Sequence, residues 1–208
     1  MKSLFLYFFC WIPFFCFSQQ AEEFKNVKNY YNQHRVLLNN EFRKKYDGEP
    51  NMLNKDAIKR DFVFFMKKMD SIENTALVGA LLKVKNLEDL SNIRNKTARL
   101  PEPTSDITSS EGQMAEYPGG MNTLRQQVAN LFYIEGVHSE MKTAKALVAF
   151  IVEKDGTISN VQASGDNFTF NRQAEIALYS VPQKFTPAVF NGESVRYRFK
   201  LPLTMTIE

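Results

Sequence analysis

The sequence predicts an α+β protein. A C-terminal two-layer domain, with a three-stranded antiparallel sheet and two helices in the order α-β-β-α-β, follows a small helical N-terminal unit. Asp155-Gly156 separates two apolar runs, which is the strongest short-range signal for a β-hairpin. Apolar and polar residues alternate strictly from Val195 to Leu203, as in a half-buried strand. Between Glu22 and Tyr46, apolar residues recur at helical spacing.

The first 18 residues have the pattern of a secretory signal peptide. Lys2 gives a positive start, Leu4 to Phe17 is an apolar run of fourteen residues, and small residues end at Ser18. This pattern predicts cleavage before Gln19 and export of the mature chain. The alternative is an uncleaved membrane anchor, but the run is shorter than the roughly 20 residues that span a bilayer.

Cysteine content and charge restrict what the mature chain can do. Cys10 and Cys16 both lie in the predicted signal peptide, so disulfides, thiolate catalysis and cysteine metal sites are excluded. Removing Lys2 from the 26 Lys and Arg residues leaves 25 against 23 Asp and Glu residues, a net charge of +2. A nucleic-acid binder would carry a strongly basic face, so no nucleic-acid partner is expected. His34 and His138 have no acidic residues at ligand spacing, and no metal or other cofactor is expected.

Residues 19–99 are predicted to form the helical unit. The first helix buries a stripe that consists of Phe24, Val27, Tyr31, Leu38, Phe42 and Tyr46, and it ends at the turn residues 47–50. A second helix is expected from about Asn54 to Asp70-Ser71, with its stripe at Ile58, Phe62, Phe65 and Met69. Residues 75–84 are apolar on all sides, which fits a buried helix or a strand; we favour the helix. Leu87, Leu90 and Ile93 indicate a short final helix.

Residues 100–113 are rich in Pro, Ser and Thr and predict a linker. The domain boundary is placed there, and the second domain is expected to cover 114–208. Pro118-Gly119-Gly120 predicts a turn into a helix that ends near Phe132.

The β-hairpin is expected over 145–165. Ile158 and Val161 of its second arm lie three positions apart, which breaks the alternation of apolar and polar residues and predicts a bulge near Ser159-Asn160. Asn171 is the predicted N-cap of the following helix. Asn191-Gly192 predicts a tight turn before the last strand.

The last strand is predicted to lie at an edge of the sheet. One face carries five apolar side chains, Val195, Tyr197, Phe199, Leu201 and Leu203, and the opposite face is basic, with Arg196, Arg198 and Lys200. Pro202 has no N–H to donate to a neighbour, which favours a strand with at least one free edge. A free edge can pair with another chain.

The residues from Tyr117 onward resemble a known family. The order of elements, together with Tyr117-Pro118-Gly119-Gly120, the hairpin around Asp155-Gly156, Pro187, Asn191-Gly192 and the strand from Val195 to Leu203, is similar to the TonB C-terminal domain in the variant common among Bacteroidota. The resemblance covers about residues 114–208 and departs from the family at Tyr133-Ile134, at Ala144-Lys145, and at Phe185 and Ala188, where the family has Trp and Gly.

The resemblance implies a periplasmic, non-enzymatic binding module. Proteins of that family add an extended segment of an outer-membrane transporter to the edge of the sheet, at the terminal strand. By position, the residues that bind the partner here are Val195, Arg196, Tyr197, Arg198, Phe199 and Lys200. The other matched residues, Tyr117, Pro118, Gly119, Gly120, Asp155, Gly156, Phe185, Pro187, Asn191 and Gly192, are structural.

Binding, structural and catalytic functions require different features of this sequence. The favoured one captures an extended peptide, from an outer-membrane transporter or another envelope protein, with the basic face selecting acidic flanks. The alternatives are a structural protein, in which the same edge pairs with a second copy or is covered by the helical unit, and a divergent adaptor without a transport role. No motif for hydrolytic, redox or phosphate chemistry is present in the sequence, so neither an enzyme nor a small-molecule substrate is expected.

Overall fold

A computed structural model of the protein describes residues 19–98, 112–137 and 142–206. The predicted signal peptide, most of the predicted linker and His138 lie outside these residues. The helices are α1 (Gln19–Gly48), α2 (Met52–Ala98), α3 (Gly120–Asn130) and α4 (Phe168–Tyr179), with a short 3-10 helix at Ile134–Gly136. The strands are β1 (Gly112–Gln113), β2 (Thr143–Val152), β3 (Ile158–Ser164), β4 (Ala188–Phe190), β5 (Glu193–Val195) and β6 (Tyr197–Thr206).

The main sheet has the strand order β3-β2-β6 and is antiparallel throughout. β2 and β6 pair along their full length, from Thr143 opposite Thr206 to Val152 opposite Tyr197. The predicted α+β fold, with a helical region before the sheet, is therefore confirmed. A second small sheet, β1-β4-β5, was not predicted. It includes Gly112–Gln113, which the composition had assigned to the end of the linker.

The hairpin between β2 and β3 is confirmed and closes through Gly156. The N–H of Gly156 donates to the carbonyl of Glu153 at 2.9 Å, and the N–H of Glu153 donates to the carbonyl of Thr157 at 2.8 Å. Gly156 has φ +79° whereas Asp155 keeps a negative φ, so the turn carries a glycine bulge and is not type I′. The predicted bulge in β3 is also present, because Asn160 has φ +51° and the register shifts beside it.

One face of the main sheet carries the core. The residues of β2 that point to this face are buried, namely Ala144, Ala146, Val148, Phe150 and Val152. α4 lies against β2 and β3, and it is buried on nearly every side because the N-terminal helices pack against its outer surface. The opposite face of the sheet is open to solvent along β6.

α1 and α2 form an antiparallel helical hairpin that packs on the C-terminal α+β part of the chain. Arg35 of α1 pairs with Asp70 and Glu73 of α2, and Glu23 pairs with Lys83 at 2.6 Å. Phe24 stacks on Tyr179 of α4 with ring centroids 5.2 Å apart. These contacts join the helical unit and the sheet in one hydrophobic core.

α2 is a single helix of 47 residues, where the sequence predicted a break at Asp70-Ser71 and two further short helices. The predicted helix over 75–84 is confirmed as part of it. No proline interrupts the segment, and the buried positions Met69, Leu77, Leu81 and Val84 continue one stripe across the expected break. Leu87, Leu90 and Ile93, which indicated a short final helix, belong to α2 and are exposed, and Glu88 occupies the buried position.

The N-cap of α4 is Asn167 and not Asn171. The Asn167 side chain accepts the N–H of Phe170 at 2.8 Å. Asn171 lies in the first turn of the helix, where its side-chain amide donates to the carbonyl of Gly165 at 2.9 Å. Asn167 directly precedes Phe168, the first residue of the helix, whereas Asn171 is followed by Arg172 and Gln173.

Candidate functional site

The free edge of β6 is the strongest candidate for a binding site. Within the described residues, β6 pairs with β2 on one side and with no strand on the other. The prediction of an edge strand, based on Pro202, is therefore confirmed from Tyr197 onward. Val195, predicted to begin this strand and to bind the partner, instead lies in β5, where it pairs with Ala188 of β4. A free edge of this length presents backbone donors and acceptors that an extended peptide can satisfy.

The side chains of β6 alternate between the core and the solvent. Tyr197, Leu201 and Leu203 are buried, whereas Arg198 and Lys200 are exposed on the outer face. Neither of these two cations has an ion-pair partner within the part of the chain that the structure describes. Lys145 of β2 is exposed on the same face, which is therefore positively charged beside the free edge.

Arg196 differs from the other cations predicted to bind a partner. Its guanidinium makes two hydrogen bonds to the Glu153 carboxylate, from Nε at 2.9 Å and from a terminal nitrogen at 3.1 Å. Glu153 in turn accepts the hydroxyl of Ser159 at 2.5 Å. Arg196 is thus engaged within the fold, where it links the start of β6 to the hairpin. Tyr197 and Phe199 likewise face the core, so they can reach a partner only through their backbone.

The opposite edge of the sheet, along β3, is closed by side chains of the helices. The N–H of Asn160 donates to Glu88 at 2.7 Å, the N–H of Val161 donates to Tyr179 at 3.1 Å, and the N–H of Ala163 donates to Glu175 at 2.9 Å. The carbonyl of Val161 accepts from Lys85 at 2.9 Å. Two of these four side chains belong to α2 and two to α4, so the N-terminal unit helps to block this edge.

Glu88 connects α2 to both α4 and β3. The same carboxylate oxygen accepts the hydroxyl of Tyr179 at 2.5 Å and the N–H of Asn160. Burial raises the pKa of the Glu88 carboxyl, although these hydrogen bonds oppose the shift. Burial, together with the nearby Glu88 charge, also raises the pKa of the Tyr179 hydroxyl, which stays a donor.

An aromatic cluster fixes the start of β6 against the hairpin. Phe185 lies 4.9 Å from Tyr117, 5.6 Å from Phe150 and 6.0 Å from Phe199, measured between ring centroids. The N–H of Phe185 donates to the carbonyl of Gly156 at 2.9 Å. Three residues predicted to be structural, Tyr117, Gly156 and Phe185, are therefore brought together in one place.

The remaining structural residues lie in turns and short strands. Gly119 and Gly120 both have φ +79° where the chain enters α3 after Pro118. Asp155 accepts the N–H of Thr157 in the hairpin turn; burial opposes the effect, but its hydrogen bonds and Lys184 hold the pKa of this carboxyl below its ordinary value. Pro187 lies between the bridge at Thr186 and strand β4, and Asn191-Gly192 forms the β4–β5 turn, both residues with positive φ.

No family model, no curated protein and no solved structure matches this chain. In the described part of the chain, no helix is long and apolar enough to cross a membrane. The same residues contain no group of three His, Cys, Asp or Glu side chains that could hold a metal ion. His34 is exposed on α1, with Nδ1 2.8 Å from the carbonyl of Tyr30.

The sequence did not predict the residues that close the β3 edge. Among these residues, only Glu88 is marked by a local pattern. It continues the buried helical stripe of Leu81 and Val84 with a charged residue. A carboxylate at a core-facing position requires a donor within the fold. Its donor, the N–H of Asn160, lies 72 positions away in the chain, so the partner could not be identified from the sequence.

Proposed function

We propose that the protein is a non-enzymatic binding module that captures an extended peptide as a fourth strand beside β6. The observation that carries this proposal is the difference between the two edges of the main sheet. The backbone of β3 is satisfied by four side chains from the helices, whereas β6 has no strand partner on its outer side among the described residues. In the described structure, a guest strand can therefore pair with the main sheet at β6 and not at β3.

The charge of the outer face favours an acidic guest. A strand paired with β6 would place alternate side chains next to Arg198 and Lys200, which are exposed and cationic. Opposite charges across neighbouring strands stabilise the pair, and like charges destabilise it. An acidic peptide is therefore preferred to a second copy of this chain, because pairing of β6 with itself would bring these cations together.

The resemblance to the TonB C-terminal domain adds a biological setting to the proposal. In that setting the exported protein acts in the periplasm, and the guest is an extended segment of an outer-membrane transporter or another envelope protein. A few added backbone hydrogen bonds, at about 0.5–1.5 kcal/mol each, are set against the cost of association. Binding in the micromolar range or weaker is expected.

A titration followed by backbone amide shifts tests the proposal. Synthetic acidic peptides of extended sequence are added to the protein labelled with 15N. The amides of β6 are expected to shift while those of β3 stay unchanged. The absence of any shift in β6, or larger shifts in β3, would overturn the proposal. Light scattering of the free protein tests the alternative of a homodimer, since self-pairing at the β6 edge predicts a dimer that depends on protein concentration.

A further inference from the structure

A cavity of about 290 Å³ lies between α3 and the second half of β6. Its apolar wall is formed by Ala129 and Phe132 at the end of α3, Phe170 of α4, and Leu203 and Met205 of β6. Arg125 and Gln126 stand at its polar side. The volume lies at the lower end of the range of small-molecule sites, about 300–1,000 Å³, and the mostly apolar lining suits an apolar group such as a single side chain.

The lining of the cavity locates it at the free edge of β6. Four consecutive residues, Pro202 to Met205, contact it, although their side chains point alternately to the two faces of the sheet. A space that touches consecutive residues of a strand lies beside the backbone, because a space over one face would touch only every second residue. No residue of β2 lines the cavity, so it lies on the side of β6 where a guest strand would bind.

We propose that this cavity, the edge cavity, receives a bulky apolar side chain of the captured strand. The inference rests on the proposed function and adds to it the identity of the guest. Burial of one Leu, Ile, Met or Phe side chain would supply the binding energy that the backbone pairing alone lacks. The edge cavity then selects among acidic peptides, which the surface charges of β6 alone cannot do.

The register of β6 fixes the spacing between the apolar anchor and the acidic residues. A guest residue opposite Leu203 points toward the core face and the edge cavity. Positions opposite Lys200 and Arg198 are three and five residues away from it, both odd intervals, so those guest side chains point to the outer face. An antiparallel guest therefore has the pattern apolar-x-x-acidic-x-acidic, and a parallel guest has the reverse, acidic-x-acidic-x-x-apolar.

Four synthetic peptides and two variants test this inference on the full mature chain. The peptides carry either pattern with Leu at the anchor, and the same two patterns with Ala at the anchor. Affinity is measured by amide shifts of β6. The Leu peptide of the correct direction is expected to bind roughly tenfold more tightly than its Ala counterpart, from the apolar area buried.

The variant Ala129→Leu fills the edge cavity from an exposed position on α3, where the larger side chain does not disturb the core. It is expected to remove the preference for Leu over Ala while the Ala peptide still binds. The control is Asn130→Leu, which adds the same bulk to the next residue of α3, exposed and outside the cavity lining. It should keep the tenfold preference.

The outcomes separate this inference from the proposed function. If Leu and Ala peptides bind β6 equally well, the edge cavity takes no anchor and the inference is wrong, while the capture of a strand stands. If Ala129→Leu keeps the preference for Leu, the anchor lies elsewhere and the inference is again wrong. If no peptide shifts the amides of β6, both the proposed function and the inference fail.

Discussion

The carboxylate of Glu88 accepts the backbone N–H of Asn160 at 2.7 Å, across 72 positions of the chain. This bond joins the long helix α2 to the outer edge of β3. It also explains why β3 offers no edge to a guest, since the donor that a guest would use is already engaged. The N-terminal unit thus helps to close the β3 edge, and β6 is the open edge of the main sheet among the described residues.

Substitution of Glu88 tests how this closure is held. Glu88→Gln keeps an oxygen that can accept from both Tyr179 and Asn160 while removing the buried charge, so stability at pH 7 is expected to equal or exceed that of the wild type. Glu88→Ala leaves both donors without an acceptor and is expected to cost about 1–3 kcal/mol in the free energy of unfolding. Urea denaturation measures both, with the exposed Glu41→Gln as the control for loss of a carboxylate.

The pH dependence of unfolding has a definite sign for Glu88. Because its pKa is raised in the folded protein, the folded state holds the proton more tightly than the unfolded state. The contribution of protonated Glu88 to the free energy of unfolding is fully present below the ordinary carboxyl pKa of about 4.5. This contribution is lost as the pH rises through the raised pKa of the folded protein. Glu88→Gln should remove this loss. An identical pH profile for wild type and variant would show that Glu88 does not titrate with a raised pKa.

Gly156 is expected to be the glycine least tolerant of substitution. A Cβ at this position would lie 2.0 Å from the carbonyl oxygen of Phe185, and the backbone has φ +79°. Gly192 has the same φ with no atom within 4 Å of the added Cβ, so Gly192→Ala isolates the conformational cost of about 1–2 kcal/mol. Gly156→Ala should lose at least about 2 kcal/mol more. Equal midpoints in thermal unfolding for the two variants would contradict this.

The features that the sequence predicted correctly are those encoded by neighbouring residues. The Asp155-Gly156 hairpin and the strict alternation of β6 each depend on fewer than about ten consecutive residues, and both are present. The position of β6 at the edge followed from Pro202, a single residue with a local backbone effect. The same local information placed three cations, Arg196, Arg198 and Lys200, on one face, but it did not show that Arg196 is bound to Glu153.

The features that the sequence did not predict depend on contacts between distant segments. The polar residues around Asp70 suggested a helix end, yet Asp70 and Glu73 are on the inner side of α2 because Arg35 of α1 pairs with them. The edge cavity is similar, since Ala129, Phe170 and Met205 meet only after the helices and the sheet assemble. Periodicity within one element contains no information about these partners.

Two proline substitutions test the finding that α2 continues through Asp70 and Ser71, where a break was expected. Ile72→Pro places proline inside the helix at a half-exposed position and is expected to cost about 3 kcal/mol, because an intrahelical hydrogen bond is lost and the ring clashes with the preceding turn. Met52→Pro is the matched control. Asn51 caps the N–H of Leu53 at 2.9 Å, so position 52 is the first of the helix, where proline is tolerated. A neutral Ile72→Pro would indicate two separate helices.

Arg196 and Arg198 are two residues apart on the same face, and their substitutions are expected to have opposite consequences. Arg198→Gln removes an exposed cation without an ion pair in the described structure, so stability should change by less than about 0.5 kcal/mol. Affinity for an acidic peptide should fall by about two- to fivefold, and less at high salt, because the lost interaction is a screened surface attraction.

Arg196→Gln breaks the two hydrogen bonds to Glu153, whose carboxylate is mostly buried, and is expected to lower the free energy of unfolding by about 1–2 kcal/mol. Peptide affinity, measured well below the unfolding midpoint, should change little because Arg196 is already occupied within the fold. Isothermal titration and urea denaturation of both variants give the comparison. If Arg196→Gln weakened binding more than Arg198→Gln did, the guest would replace Glu153 as the partner of Arg196, and the division between a structural and a binding cation on this face would be wrong.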